Sequence, residues 1–493
     1  MSTSANRRFE KTFKNLFQST AFVTICILGL IILFLLKEGL GFVGSYTESL
    51  REYRSSGLEY VDLMENKYRD SIELQNELTQ IRADWIKRLQ DDRQDQRVIQ
   101  QTIGDSEFSA LFAELRETTL PLGAYLKEKR DYVMHARNDS EEAIFDQAYL
   151  EGLQSDRERY DSIISQLAEA QIALTRELAV FQTGQKGLDR RLQKAEATAL
   201  AYSGGVIHHL ESLSAWKADA SISEFRALIS FFTGRHWITA SDQQDWYGLL
   251  PLLTGSILIS AIAMTIAIPT AIGAAIYINQ FASKAERTLV KPYIEFISAL
   301  PSVVIGFFGV MLFGEWMRTF SNMDAFAWLP FFPIEERLNA FTAGALLALM
   351  AIPTIFTLTE DALENVSNSL KEASHAVGAT KLQTTFRIIL PTAISGVISA
   401  VMLGFGRVIG ETMVVLLCAG NRIKIPEIDL GGEFLFEPVH SMTGIIAQEM
   451  GEVVYGGLHY RALFMVGIVL FLVSLAVNYG AQVFAKKFTP KMR

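Results

Sequence analysis

Cysteine is nearly absent from this 493-residue chain: Cys26 and Cys418 are the only two, each in an apolar stretch where a thiol packs as a small hydrophobe. That excludes a disulfide framework, a cysteine zinc site and a redox pair. Histidine is scarce too, with seven residues, and the adjacent His208 and His209 lack the spacing of three or four that a helical metal site uses. No G-x-x-x-x-G-K-[S/T] run occurs, so the chain holds no phosphate loop of that kind and is not its own ATPase by that route. A G-x-S-x-G elbow and an H-E-x-x-H pair are missing as well, leaving no enzymatic signature and no bound metal or cofactor to expect. Proline is missing from 43–246 except for Pro121, which predicts long helices there.

What is present is divided between two solvents. Residues 37–246 carry 36 acids against 25 bases, while the remainder is slightly basic and is dominated by charge-poor apolar runs. The acidic balance argues against a nucleic-acid partner. Six runs, at about 17–36, 249–278, 294–313, 340–358, 393–418 and 463–484, are long enough to cross a hydrocarbon core of roughly 30 Å as helices. Arg7, Arg8, Lys11 and Lys14 before the first run also suit a secretory signal, but Lys37, Glu38 and Gly39 follow it in place of a small-residue cleavage site. The first run is therefore read as a retained span.

Basic residues near helix ends gather on the cytoplasmic side. Lys284, Arg287 and Lys291 follow span two, Lys371, Lys381 and Arg387 follow span four, and Lys486, Lys487, Lys491 and Arg493 follow span six, all on the side of the N-terminus. The loop between spans five and six has Glu427, Asp429, Glu433, Glu437, Glu449 and Glu452 against Arg422 and Lys424, which suits the outer face. The predicted division is a cytoplasmic tail at 1–16, span one at 17–36, an external helical insertion at 37–246, a five-span membrane domain at 247–485 and a cytoplasmic tail at 486–493.

Within the insertion, Leu153, Tyr160, Leu167, Leu174, Phe181 and Leu188 recur every seven residues, with Ile164, Leu178 and Leu192 four after alternate members. This is a heptad seam. Leu74, Leu78, Ile81, Trp85 and Leu89 mark one face of an earlier helix, so the two stripes can cover each other if the chain reverses between Asp105 and Asp146. Gln171 and Gln185 interrupt the seam as register-setting polar residues do. A helical hairpin, coiled coil or small bundle is expected.

Two stretches carry chemistry. The loop at 359–391 reads Glu372-Ala373-Ser374, three residues, Gly378, nine residues, then Ile388-Ile389-Leu390-Pro391. That order predicts a short amphipathic helix, a glycine break and a second helical piece ending at proline, an elbow able to fit a groove on another protein. Span five contains Arg407 and Glu411, four apart on one predicted helix face, in an apolar setting where a central Arg costs about 2.5 to 3.5 kcal/mol. Gly396, Ala400 and Gly404 continue that face as a small-residue stripe, with Gly406 and Gly410 beside it. A fixed cation there suits an anion. Equally, the two charges can neutralise each other and lock helices together.

The elbow resembles the hallmark of ABC importer permeases, E-A-A, three residues, G, nine residues, I-x-L-P, with Ser374 as the one departure. The run Gly406 to Asn421, G-R-V-I-G-E-T-M-V-V-L-L-C-A-G-N, and the segment Met442 to Phe464, with A-Q-E-M-G-E and L-H-Y-R-A-L-F, are similar to phosphate importer permeases of the PstC type. The resemblance implies an all-α, six-span transmembrane bundle in the bacterial inner membrane. It also implies that Glu372, Ala373, Gly378, Leu390 and Pro391 couple to an ATPase, and that Arg407, Glu411 and Thr412 line the substrate pathway. The implied partners are a homologous PstA-type permease, a PstB-type ATPase dimer that binds ATP and Mg, and a periplasmic PstS-type phosphate-binding protein. Permeases for sulfate or molybdate are the nearest alternatives. The insertion departs from the compact family pattern and, with its flanking spans, matches a membrane-sensor layout, yet four more spans follow where a sensor has a signalling helix.

Overall fold

The computed structural model describes residues 3–91, 107–139, 147–178, 186–239, 244–326, 328–329, 331–334, 336–426 and 432–488. Asp105, Asp146, Phe181, Gln185, Glu427, Asp429, Lys491 and Arg493, all named above, lie outside the described residues. Two compact units emerge: Thr47–Ser223, and Met1–Tyr46 together with Glu224–Arg493.

The helices in chain order are α1 (Thr3–Ser55), α2 (Leu58–Asp91), α3 (Glu107–Asp139), α4 (Gln147–Gln154), α5 (Arg157–Leu178), α6 (Lys186–Ala215) and α7 (Glu224–Thr233). In the unit Thr47–Ser223, α2 packs on α3 and α6, and α5 packs on the same two helices. The four close into a bundle. Its core contains most of the predicted stripes: Leu74, Leu78, Ile81, Tyr160, Ile164, Leu167, Leu174, Leu188 and Leu192 are buried, while Leu89 is half-buried. The hairpin alternative fails because α3 supplies a third stripe that the heptad reading did not see. Nor is the seam one helix, since a turn at Ser155–Asp156 separates α4 from α5. Gln171 is fully buried, and Gln75 donates to Thr119 in a polar layer of the core. The unit's two ends are clasped: Arg51 Nη2 donates to the carbonyl of Ile222 at 2.9 Å, and Arg54 Nη1 to that of Ala220 at 3.1 Å.

The other unit holds the apolar helices. A two-stranded ribbon, β1 (Trp237–Ile238) with β2 (Trp246–Tyr247), precedes α8 (Leu250–Ile276), which ends in a π turn at Tyr277–Phe281. Then come α9 (Lys284–Ser298), α10 (Ser302–Phe308), a π turn at Gly309–Phe313, α11 (Gly314–Ser321), α12 (Ala340–Glu364), α13 (Asn368–Ala376) and α14 (Lys381–Thr384). A π turn at Thr385–Ile389 leads to α15 (Leu390–Ile409), α16 (Met413–Cys418), α17 (Met442–Glu449) and α18 (Leu458–Phe488). Among the described residues six stretches are long and apolar enough to cross a membrane: Phe13–Ser55, Leu250–Phe281, Ser302–Ser321, Ala340–Glu364, Lys381–Ile409 and Leu458–Gly480.

Two of these correct the expected limits. Span three begins at Ser302 rather than near 294, because Pro301 has no N–H to continue α9 and instead caps α10. The apolar residues Ile294 and Ile297 belong to α9, a surface-lying helix with no fully buried side chain, and hydropathy alone merges the two. Span five ends at Ile409 rather than 418, where Gly410 caps the helix.

The core forms around α12, which packs against α8, α9 and α15. Asn339 starts it, its side-chain oxygen accepting from the Thr342 N–H at 2.8 Å. Small residues allow close approach: a Cβ on Gly344 would lie 2.6 Å from Ile262 of α8. Where α1 passes the ribbon, Phe42 and Tyr46 pack with Phe231 and Tyr247 in a buried aromatic cluster. Phe42, Tyr46, Phe231 and Trp237, expected in the insertion, therefore share the core of the apolar unit.

Candidate functional site

The elbow is built from two short helices set against each other. After α13, Gly378 takes φ +84° and its N–H donates to the His375 carbonyl at 2.9 Å, while the Ala379 N–H donates to the Ser374 carbonyl at 3.2 Å. This is a glycine helix stop. A Cβ there would meet nothing within 4 Å, so backbone conformation and not space demands glycine. Thr380 then opens α14 with a capping box, Gln383 N–H to Thr380 Oγ1 at 3.3 Å and Thr380 N–H to Gln383 Oε1 at 2.9 Å. Ser374, the departure from the E-A-A pattern, is buried and its hydroxyl lies 2.9 Å from that of Thr384, fastening α13 to α14. Glu372, Ala373 and His375 are exposed, as are the apolar Leu370, Val377, Leu382 and Phe386. Leu390 is half-buried and Pro391 occupies the first turn of α15, where its missing N–H is harmless.

Along α15 the small residues face α12. A Cβ on Gly396 would come within 2.5 Å of the Ala362 Cβ, one on Gly404 within 2.5 Å of Ile355 Cγ1, and Ala400 between them is buried. Gly406 and Gly410 lie outside that seam: their nearest neighbours would be Asn478 Oδ1 at 3.9 Å and the Gly406 carbonyl at 3.5 Å.

The expected Arg407–Glu411 pair does not form. Helix α15 stops at Ile409, Gly410 caps it, and Glu411 and Thr412 make a break before α16. Arg407, exposed, donates from Nη1 to Thr354 Oγ1 of α12 at 3.1 Å. Glu411 turns the other way: its Oε1 accepts from the N–H groups of Thr412 and Met413, each at 3.2 Å, and its carbonyl accepts from Thr443 Oγ1 at 2.9 Å. A glycine without a side chain to hold the turn, followed by a carboxylate that captures the first N–H groups of the next helix, breaks the periodicity on which the pairing argument relied. The result, among the described residues, is a guanidinium with a hydroxyl partner and no carboxylate.

The remaining motif residues shape the surroundings. Buried Cys418 donates to the Gly306 carbonyl at 3.4 Å, and its Sγ fills the space a Cβ on Gly309 would need. Gly420 and Asn421 both have positive φ, which explains the G-N pair as a turn. In the A-Q-E-M-G-E segment, Gln448 Oε1 lies 3.1 Å from His440 Nε2, and Glu449 accepts from Trp237 Nε1 at 3.0 Å and from His459 Nε2 at 2.7 Å. The Ser441 N–H donates to His440 Nδ1, which places the ring proton on Nε2, and burial holds the pKa of His440 below its ordinary value. Arg461 of L-H-Y-R donates to Ser45 of α1. Trp237 and His440 went unrecognised in the sequence because their partners come from other elements and leave no local spacing.

Residues 267–493 match the family described as "Binding-protein-dependent transport system inner membrane component". The chain is 32% identical over 256 residues to the phosphate transport system permease protein PstC of Pasteurella multocida, covering 50% of this chain and 77% of that one. It belongs to the ABC importer permease family, in the PstC type. A probable ABC transporter permease protein of Bacillus subtilis, YqgH, is 30% identical over 247 residues, covering 50% of this chain and 74% of its own. Among solved structures, inward-facing MetNI methionine ABC transporter is similar at 17% identity and a TM-score of 0.35, over 49% of this chain and 94% of that one. This permease is thus a multi-pass inner-membrane transport subunit and not an enzyme. ATP hydrolysis in the family belongs to a separate subunit, and a binding protein completes the system.

Proposed function

We propose that this permease forms half of a translocation pathway for inorganic phosphate, with Arg407 as the fixed cation that attracts the anion. The observation that carries the reading is the guanidinium of Arg407, exposed beside the α12–α15 seam at the far end of span five and, among the described residues, paired with no carboxylate. Such a charge is expensive in a bilayer unless it serves a polar pathway. Glu411, held by main-chain N–H groups, and Thr412 would shape the pathway next to it without cancelling the cation. Its partners would be a PstA-type permease for the other half, a PstB-type ATPase pair using ATP and Mg, and a PstS-type binding protein delivering phosphate from outside. Glu372, Ala373 and Gly378, with Leu390 and Pro391 at the base, would receive the ATPase's movement. The charge pattern supports cytoplasmic termini and an external Thr47–Ser223 bundle.

Phosphate uptake by the whole complex in proteoliposomes tests this. Arg407→Ala abolishes uptake while the complex still assembles, and Arg407→Lys keeps part of it. Unimpaired uptake in Arg407→Ala makes the charge structural, and sulfate or molybdate uptake in place of phosphate reassigns the substrate.

A further inference from the structure

Glu360 lies on the last two turns of α12 and is 2% exposed. Its Oε2 is 2.7 Å from Nζ of Lys291 on α9, and no hydrogen-bond donor other than Lys291 reaches that oxygen among the described residues. A buried carboxylate stripped of its one cation is strongly disfavoured, so the pair holds α9 to α12. The contact with Glu360, joined by the carboxylates of Glu295 and Asp361 and opposed by desolvation, leaves the pKa of Lys291 above its ordinary value, which keeps the ammonium charged.

Helix α9 is fastened one turn earlier as well, by a residue four positions before Lys291. Arg287 Nη2 donates to the carbonyls of Ile278 and Asn279, at 2.9 and 2.8 Å, in the π turn that closes span two. Val290 and Ile294 pack against the membrane core, and Pro301 joins α9 to span three. Glu364, four residues beyond Glu360, ends α12, and α13 of the elbow begins at Asn368. One short helix thus connects spans two, three and four at the end where the elbow emerges.

We propose that Lys291 and Glu360 form a positioning clamp through which movement of the elbow reaches spans two and three by way of α9. The clamp rests on the elbow being the site of ATPase coupling. When α13 is pushed, α12 carries α9 with it, and spans two and three move as one body with span four; with the clamp broken, α12 moves alone.

The test uses the whole complex in proteoliposomes, measuring phosphate transported per ATP hydrolysed, with assembly checked by size-exclusion chromatography. Lys291→Gln and Glu360→Gln lower that ratio at least about fivefold, the lower end of usual site-to-site couplings, while ATP hydrolysis continues. The charge-swapped pair Lys291→Glu with Glu360→Lys restores it. A wild-type ratio in an assembled Lys291→Gln complex overturns the clamp, and this variant decides alone if those at the buried Glu360 fail to assemble, because Lys291 is half-buried on a surface helix. Glu372→Lys in parallel separates the two ideas: normal uptake in that variant removes the elbow reading itself, whereas lost uptake there with unchanged ratios in the Lys291 variant removes the clamp alone.

Discussion

The hydroxyls of Ser374 and Thr384 lie 2.9 Å apart and out of solvent, joining the two halves of the elbow at the position where the family pattern has alanine. The residue that looked like a loss of motif is a fastening. Removing one partner leaves the other hydroxyl buried and unpaired, a penalty of about 1 to 3 kcal/mol. Ser374→Ala should therefore lower the thermal midpoint of the purified complex, and Ser374→Ala with Thr384→Val should recover most of it. Equal midpoints for wild type and Ser374→Ala would show that the bond contributes nothing.

The small residues of span five should separate sharply. Leucine at Gly404 must displace Ile355, and overpacking of that kind costs about 1 to 3 kcal/mol. Gly406→Ala has room and gains about 1 kcal/mol of helix propensity. Assembled yield of the two variants checks the order: Gly404→Leu falls and Gly406→Ala does not.

Arg407 and Glu411 make separate contacts, so a double-mutant cycle on phosphate uptake should show additivity to within about 0.5 kcal/mol. Arg407→Lys and Glu411→Gln are the gentle choices. A coupling well above that value would mean that the two charges meet during transport.

His209 offers a pH signature in the bundle. Burial, followed by repulsion from Lys67, pushes its pKa down to about 4 from 6.5, while Tyr160 holds the neutral ring at 2.7 Å. The folded state resists the proton that the unfolded chain accepts, so this contribution is intact above pH 6.5 and is lost as pH falls towards 4. The full window amounts to about 3 kcal/mol at 1.36 kcal/mol per unit. Hydrogen exchange in Arg157–Leu178 and Lys186–Ala215, corrected for intrinsic rates, should rise from pH 7 to pH 5 in the wild type and much less in His209→Gln.

Much of this molecule was written in local spacing. The seam from Leu153 to Leu192 and the stripe Gly396, Ala400 and Gly404 follow from period and residue size; Leu153, Tyr160, Leu167, Leu174, Leu188 and Leu192 are buried, as are Ala400 and Gly404, and Gly396 closes on Ala362. The elbow, too, is a sequence of strong punctuation, glycine and proline at fixed distances. Errors arose where hydropathy continued through a backbone break. Residues 294–297 look like membrane span and belong to α9, and 411–418 look like the end of span five and follow a glycine stop. Contacts such as Trp237 with Glu449 join residues 212 apart, beyond any pattern within one helix.

The clasp between Arg51 and Ile222 gives the bundle a further property. The points where the chain enters and leaves it are one hydrogen bond apart, although 171 positions separate them in sequence. A unit closed at its base in this way is a cassette: the two ends of its chain meet, so a short linker can span the positions it would vacate.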